Sequence, residues 1–199
     1  MFKSIEKEAV AEIVEKKSKF IATIFPINSK EEAENRISEI KKKYYDAKHN
    51  CYAYVVGNVE KCSDDGEPSG TAGAPLLDLL KNKELTNVVV IVTRYFGGIL
   101  LGTGGLVRAY TETAKKAIES TSIVIKEYGI RYSVEINYNS LKDLQHLCKM
   151  LEINIVKIDY KINVNVTMES NLDKKQSLLQ SNIKILNVKV ENNNIIINK

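Results

Sequence analysis

No stretch of the chain approaches eighteen consecutive apolar residues, so the sequence offers no transmembrane helix. Its opening residues, MFKSIEKEAVAEIVEKK, mix charges with aliphatics and hold no apolar core of the kind a secretory signal requires. Cysteine is scarce. Cys51, Cys62 and Cys148 are the only three, with no CxxC pair, and the odd count points to reduced thiols in a cytoplasmic protein. His49 and His146 are the only histidines, so a Ser-His-Asp hydrolase would need His49 to converge on Ser69. His49, Cys51 and Cys62 are residue types that bind zinc, but a fourth ligand and close pairing are missing, and no metal site is expected from them. A strong charge excess is absent as well. The net charge of +4 falls short of a nucleic-acid-binding signature, which allows an RNA or ribosomal partner without requiring one.

Glycine is present but concentrated. Eight of the ten glycines lie between Gly66 and Gly105, together with Pro68 and Pro75. They fall in two loops, DDGEPSGTAGAP from Asp64 and RYFGGILLGTGGLVRAY from Arg94, each running into a helical pattern. Glycine is retained where φ is positive or where backbone must approach closely, so these loops read as shaped backbone and as the place where function is written.

Around them the chain reads as α+β. Ala9–Val14 and Lys19–Ile27 are strand-like, and Ser29 with Glu32 forms a capping box for a helix ending near Tyr45. HNCYAYVV from His49 is a covered strand, Asn58–Gly70 a polar loop and Thr71–Lys81 a short helix. Asn87–Thr93 is the most deeply buried strand. The stripe Leu106, Tyr110, Thr113, Ala114, Ala117, Ile118 then defines a helix over Leu106–Ser120. After Thr121 glycine all but disappears. A β-α-β-β-α-β order follows, with Ser140 capping its first helix, Ser170–Gln180 forming its second, Ile183–Val190 its last strand, and a tail over Glu191–Lys199 that adds a short strand or frays. This order is that of a ferredoxin-like domain, and the expected division is 1–121 and 122–199.

Gly102-Thr103-Gly104-Gly105 precedes a helix but fits neither phosphate-loop pattern. No Lys-Ser/Thr follows the glycine, and Val107 stands where a dinucleotide fingerprint has its third glycine. What survives is generic: unpaired N–H groups at the helix start, with Arg108 in the first turn, suit an anion. Arg94 and Arg108 are expected to face one pocket with Asp64–Ser69 on its rim. Asp64, Asp65 and Glu67 could hold Mg²⁺, or could simply be turn-formers.

DDGEPSGTAGAPLLDLL followed by NVVVIVTRYFGGILLGTGGLVRAY, with HNCYAY upstream, resembles the signature of the YigZ/IMPACT family over about Lys16–Ser120. The resemblance implies the bacterial two-domain type. Its first domain would resemble the second domain of a small-subunit ribosomal protein, with a left-handed βαβ. Its second would be ferredoxin-like, similar to the last domain of elongation factor G. Eukaryotic members carry an extra N-terminal domain and act as inhibitors upstream of an amino-acid-starvation kinase. No agreed enzymatic activity comes with the family, and no cofactor is expected. The expectation is a translation-associated regulatory protein engaging RNA, the ribosome or a protein partner, with room for a small anionic ligand. Its binding surface would comprise Asp64, Asp65, Glu67, Ser69, Arg94, Tyr95, Phe96, Gly97, Gly98, Gly102, Gly104, Gly105 and Arg108. Two alternatives stay open: a Mg²⁺-dependent enzyme acting on a phosphorylated small molecule or nucleotide, or purely structural motifs with interaction on the C-terminal sheet.

Overall fold

The computed structural model describes residues 1–198, apart from the side chains of Asn194 and Asn198; Lys199, the end of the expected tail, lies outside the described residues. The chain divides into two units, Phe2–Ile125 and Lys126–Lys199 with Met1. Each carries its own apolar cluster.

In the first unit a five-stranded sheet has the order β2-β3-β6-β4-β5, formed by β2 (Ala9–Glu15), β3 (Ser18–Pro26), β6 (Val88–Tyr95), β4 (His49–Val56) and β5 (Val59–Ser63). β3 and β4 both run antiparallel to β6 between them, and α1 (Lys30–Lys43) joins them as a split βαβ. Ser29 accepts from the Glu32 N–H at 3.1 Å, as the capping box requires, and the Glu32 carboxylate reaches back to the N–H of Asn28 at 2.8 Å.

Alternation along the strands sorts the two faces. Val89, Ile91, Tyr52 and Tyr54 pack with Ile37 and Ile40 of α1. Val88, Val90, Val92, Phe20, Ala22, Cys51 and Ala53 pack on the other face against α2 (Gly73–Asn82) and α3 (Thr103–Glu119). All six residues of the α3 stripe are buried. The helix nonetheless begins at Thr103, a turn earlier than its apolar stripe, so Arg108 stands in the second turn.

Two strands add to those expected from the sequence. β1 (Phe2–Ile5) lies beside Leu85–Asn87, with the Thr86 N–H donating to the Lys3 carbonyl at 2.9 Å. β5 pairs antiparallel with β4 along residues read as loop.

In the second unit β7 (Ile123–Ile136), β9 (Val164–Ser170) and β8 (Asn154–Tyr160) pair in that order, and β10 (Ile185–Asn198) pairs on the other side of β7. The order β10-β7-β9-β8, all antiparallel, is the ferredoxin-like arrangement. The expected last strand and tail strand merge into β10. α4 (Leu141–Met150) follows a 3-10 turn over Tyr138–Ser140, and Ser140 makes no capping bond with its side chain. α5 (Leu172–Leu179) starts two residues after the expected Ser170 and is capped by Asn171.

Candidate functional site

On the α3-facing side of β6, Val88, Val90 and Val92 are followed by Arg94, so strand alternation places a guanidinium at the end of a buried row. Phe20 of β3 and His49 of β4 stand opposite it in register. A charge in that position needs a partner. Glu67 supplies it from the β5–α2 loop: Arg94 Nη1 donates to Glu67 Oε1 at 2.6 Å, with side-chain exposures of 7% and 3%. The Tyr110 hydroxyl of α3 donates to the same oxygen at 2.8 Å. Burial, beside Cys51 and Glu67, pushes the Tyr110 hydroxyl far above its ordinary pKa and keeps it a donor. Cys51 Sγ lies 2.9 Å from the Asp64 carbonyl and 3.3 Å from the Tyr110 hydroxyl. Burial raises its pKa to about 12, so it is a neutral thiol and not a nucleophile.

The acidic motif is engaged inward. Asp64 Oδ1 accepts the N–H groups of Ala72 and Gly73 at 3.0 and 2.8 Å, and Oδ2 that of Gly70 at 2.9 Å, so this carboxylate caps α2 from a distance. Burial alone would raise its pKa, but the bonds from Gly70, Gly73 and Ala72 outweigh that and hold it below the usual range. Asp65 bonds Lys41 at 2.6 Å and the Asn50 N–H at 2.7 Å. With Glu67 on Arg94 and Tyr110, all three acids already have partners, a poor donor set for Mg²⁺. Among the described residues no group of three His, Cys, Asp or Glu is placed to hold a metal ion. Ser69 is exposed and makes no hydrogen bond to His49, whose Nδ1 lies 2.8 Å from the Asp65 carbonyl.

The glycine-rich motif divides into struts and surface. A Cβ on Gly97 would stand 2.0 Å from the Lys17 carbonyl carbon, and the Gly97 N–H donates to Ser18 Oγ at 3.1 Å, so this glycine serves close backbone approach. Gly98 and Gly102 have open space around them but positive φ, at 84° and 72°. Gly102 is the N-cap of α3, and Gly104 and Gly105 form its first turn with no capping side chain and no acid. Between the struts Phe96, Ile99 and Leu100 are exposed by 48%, 42% and 82%.

A cleft of about 450 Å³ lies between the two motifs. Lys48, His49, Gly66, Glu67 and Pro68 form one side; Arg94, Phe96, Leu100, Leu101, Gly102, Thr103 and Leu106 form the other. Of the expected members, Glu67, Arg94, Phe96 and Gly102 line it, and Tyr95 and Arg108 lie apart from it. Tyr95, alternating to the opposite face, donates to Asp46 Oδ1 at 2.8 Å, a bond that raises its pKa to about 12. Arg108 lies in a separate depression with Lys16 and Glu112, so the two arginines do not share a pocket. It makes no ion pair among the described residues and reaches back over Gly104. Lys48, His49 and Leu106 join the site from outside the expected Asp64–Ser69 and Gly97–Gly105 loops.

The family model of the Impact N-terminal domain matches residues 16–118, which contain every residue of this cleft. Among curated proteins, the IMPACT family member YvyE of Bacillus subtilis is 35% identical over 177 residues, covering 87% of this chain and 81% of that protein. The IMPACT family member YigZ of Escherichia coli is 34% identical over 151 residues, covering 73% and 74%. The crystal structure of a hypothetical protein aligns with a TM-score of 0.66 at 30% identity, over 89% of this chain and 88% of that one. The chain belongs to the IMPACT family.

Proposed function

We propose that this protein regulates translation by binding, and that it engages a protein of the translation machinery through the loop from Phe96 to Leu101. The observation that carries this reading is the exposure of Phe96, Ile99 and Leu100, at 48%, 42% and 82%, within five residues of a loop held at Gly97. Clustered apolar exposure of this kind marks an interaction surface. Two of the three side chains are aliphatic, which suits a hydrophobic pocket on a protein better than stacked bases. The link to translation rests on family membership together with the role that the sequence resemblance implies for eukaryotic members. The acidic loop has a structural part, because its carboxylates hold α2, Asn50 and Arg94 in place.

A photo-crosslinking benzoylphenylalanine at position 100, in a translating lysate, tests the proposal. The expected product is a covalent adduct with a translation protein that persists after RNase treatment. Adducts that vanish with RNase would assign the surface to RNA, and adducts only with proteins outside translation would overturn the reading.

A further inference from the structure

Beneath that loop, the cleft has a chemistry the partner surface does not use. Arg94 is more than nine-tenths buried and gives Nη1 to Glu67, while its Nε is buried with no hydrogen-bond partner. A buried charged donor left unpaired is costly and calls for an acceptor. The start of α3 meets the same cleft at Gly102 and Thr103. The first intrahelical bond there is Leu106 N–H to the Gly102 carbonyl, at 2.9 Å, so the N–H groups of Thr103, Gly104 and Gly105 precede the ladder. The helix dipole adds partial positive charge at that end. Glu67 and Arg94 neutralise each other, which leaves Lys48 on the rim and the helix end as the unbalanced charge, both positive. The remaining wall is apolar, built from Phe96, Leu101 and Leu106.

From this arrangement we infer that the cleft binds a small organic anion, a phosphomonoester or carboxylate carried on an apolar ring or chain. Its anionic head sits at the N–H of Thr103, the first of the unpaired groups at the helix start, and against the unpaired edge of Arg94. The Phe96 ring, 5.5 Å from the guanidinium carbon and half exposed, turns aside to uncover that edge. The apolar body lies along Leu101 and Leu106. A volume of about 450 Å³ falls in the range of small-molecule sites. This ligand is distinct from the protein partner, and its binding is measured without that partner.

The test is a ¹H–¹⁵N NMR titration of the full chain with phenyl phosphate, benzoate and inorganic phosphate. Saturable shifts are expected at the amides of Thr103–Gly105 and at Arg94 Nε–H, from phenyl phosphate or benzoate at concentrations at least about tenfold below inorganic phosphate. The tighter of the two identifies the head group. Thr103→Pro removes one N–H at a position where proline fits the first helical turn. It should weaken binding about tenfold or more, the size of one charged hydrogen bond, with an unchanged melting temperature, while Thr103→Ala binds as the parent protein does. Absence of saturable shifts at these groups, or a folded Thr103→Pro protein that binds undiminished, would overturn the inference. Should that variant not fold, the shifts in the unsubstituted protein decide alone.

Discussion

Glu67→Ala is expected to destabilise the protein by about 3–5 kcal/mol, the range for breaking a buried ion pair from one side. The substitution strands the Arg94 guanidinium at the end of the buried β6 row and deprives the Tyr110 hydroxyl of its acceptor. Urea denaturation of Glu67→Ala, Arg94→Ala and the double variant gives the check. Because both residues act as one unit, the double variant should cost less than the two single losses combined. A single-variant loss below about 1 kcal/mol, the value of a surface pair, would show that Glu67 is a surface acid after all.

Asp64→Ala is expected to cost about 2–3 kcal/mol at neutral pH, because the N–H groups of Gly70, Ala72 and Gly73 lose their acceptor together. The pH signature is specific. Asp64 has a folded-state pKa below its ordinary 3.8, so its contribution is present above that value and is lost as pH falls through the folded pKa. The variant should therefore lose stability less steeply than the parent between about pH 4 and pH 2. Chemical denaturation across that interval measures it, and parallel curves would remove Asp64 as the cap of α2.

Much of this architecture is legible in the residues. The β-branched run of β6, the Ser29 capping box and the apolar stripe of α3 each state their element locally, and each forms as read. β5 does not announce itself. Its residues VEKCS are polar and largely exposed, and pairing with β4 supplies the strand that propensity does not. The start of α3 is hidden for a similar reason, since Thr103-Gly104-Gly105 are poor helix formers placed there by the buried stripe that follows.

Glu67 is the instructive case among the site residues. In sequence it looks like one more acid in a polar turn beside Asp64 and Asp65. The signal for its inward turn lies elsewhere, in Arg94 sharing a face with Val88, Val90 and Val92 and therefore requiring a counter-charge. Tyr110 carries a second signal, a hydroxyl within a buried helix stripe that must find an acceptor. The separation of Arg108 from Arg94 depends on Leu101, which lines both the cleft and the neighbouring depression, and no spacing rule encodes that.

In the proposed function the acidic loop holds the fold while the glycine-rich loop meets the partner. Leu100→Asp separates the two roles when stability and capture of the protein cross-linked at position 100 are measured on the same sample. Leu100 is 82% exposed, so the expected stability change is within about 0.5 kcal/mol, with a loss of capture of tenfold or more. A folded Leu100→Asp protein that captures its partner undiminished would contradict that proposal.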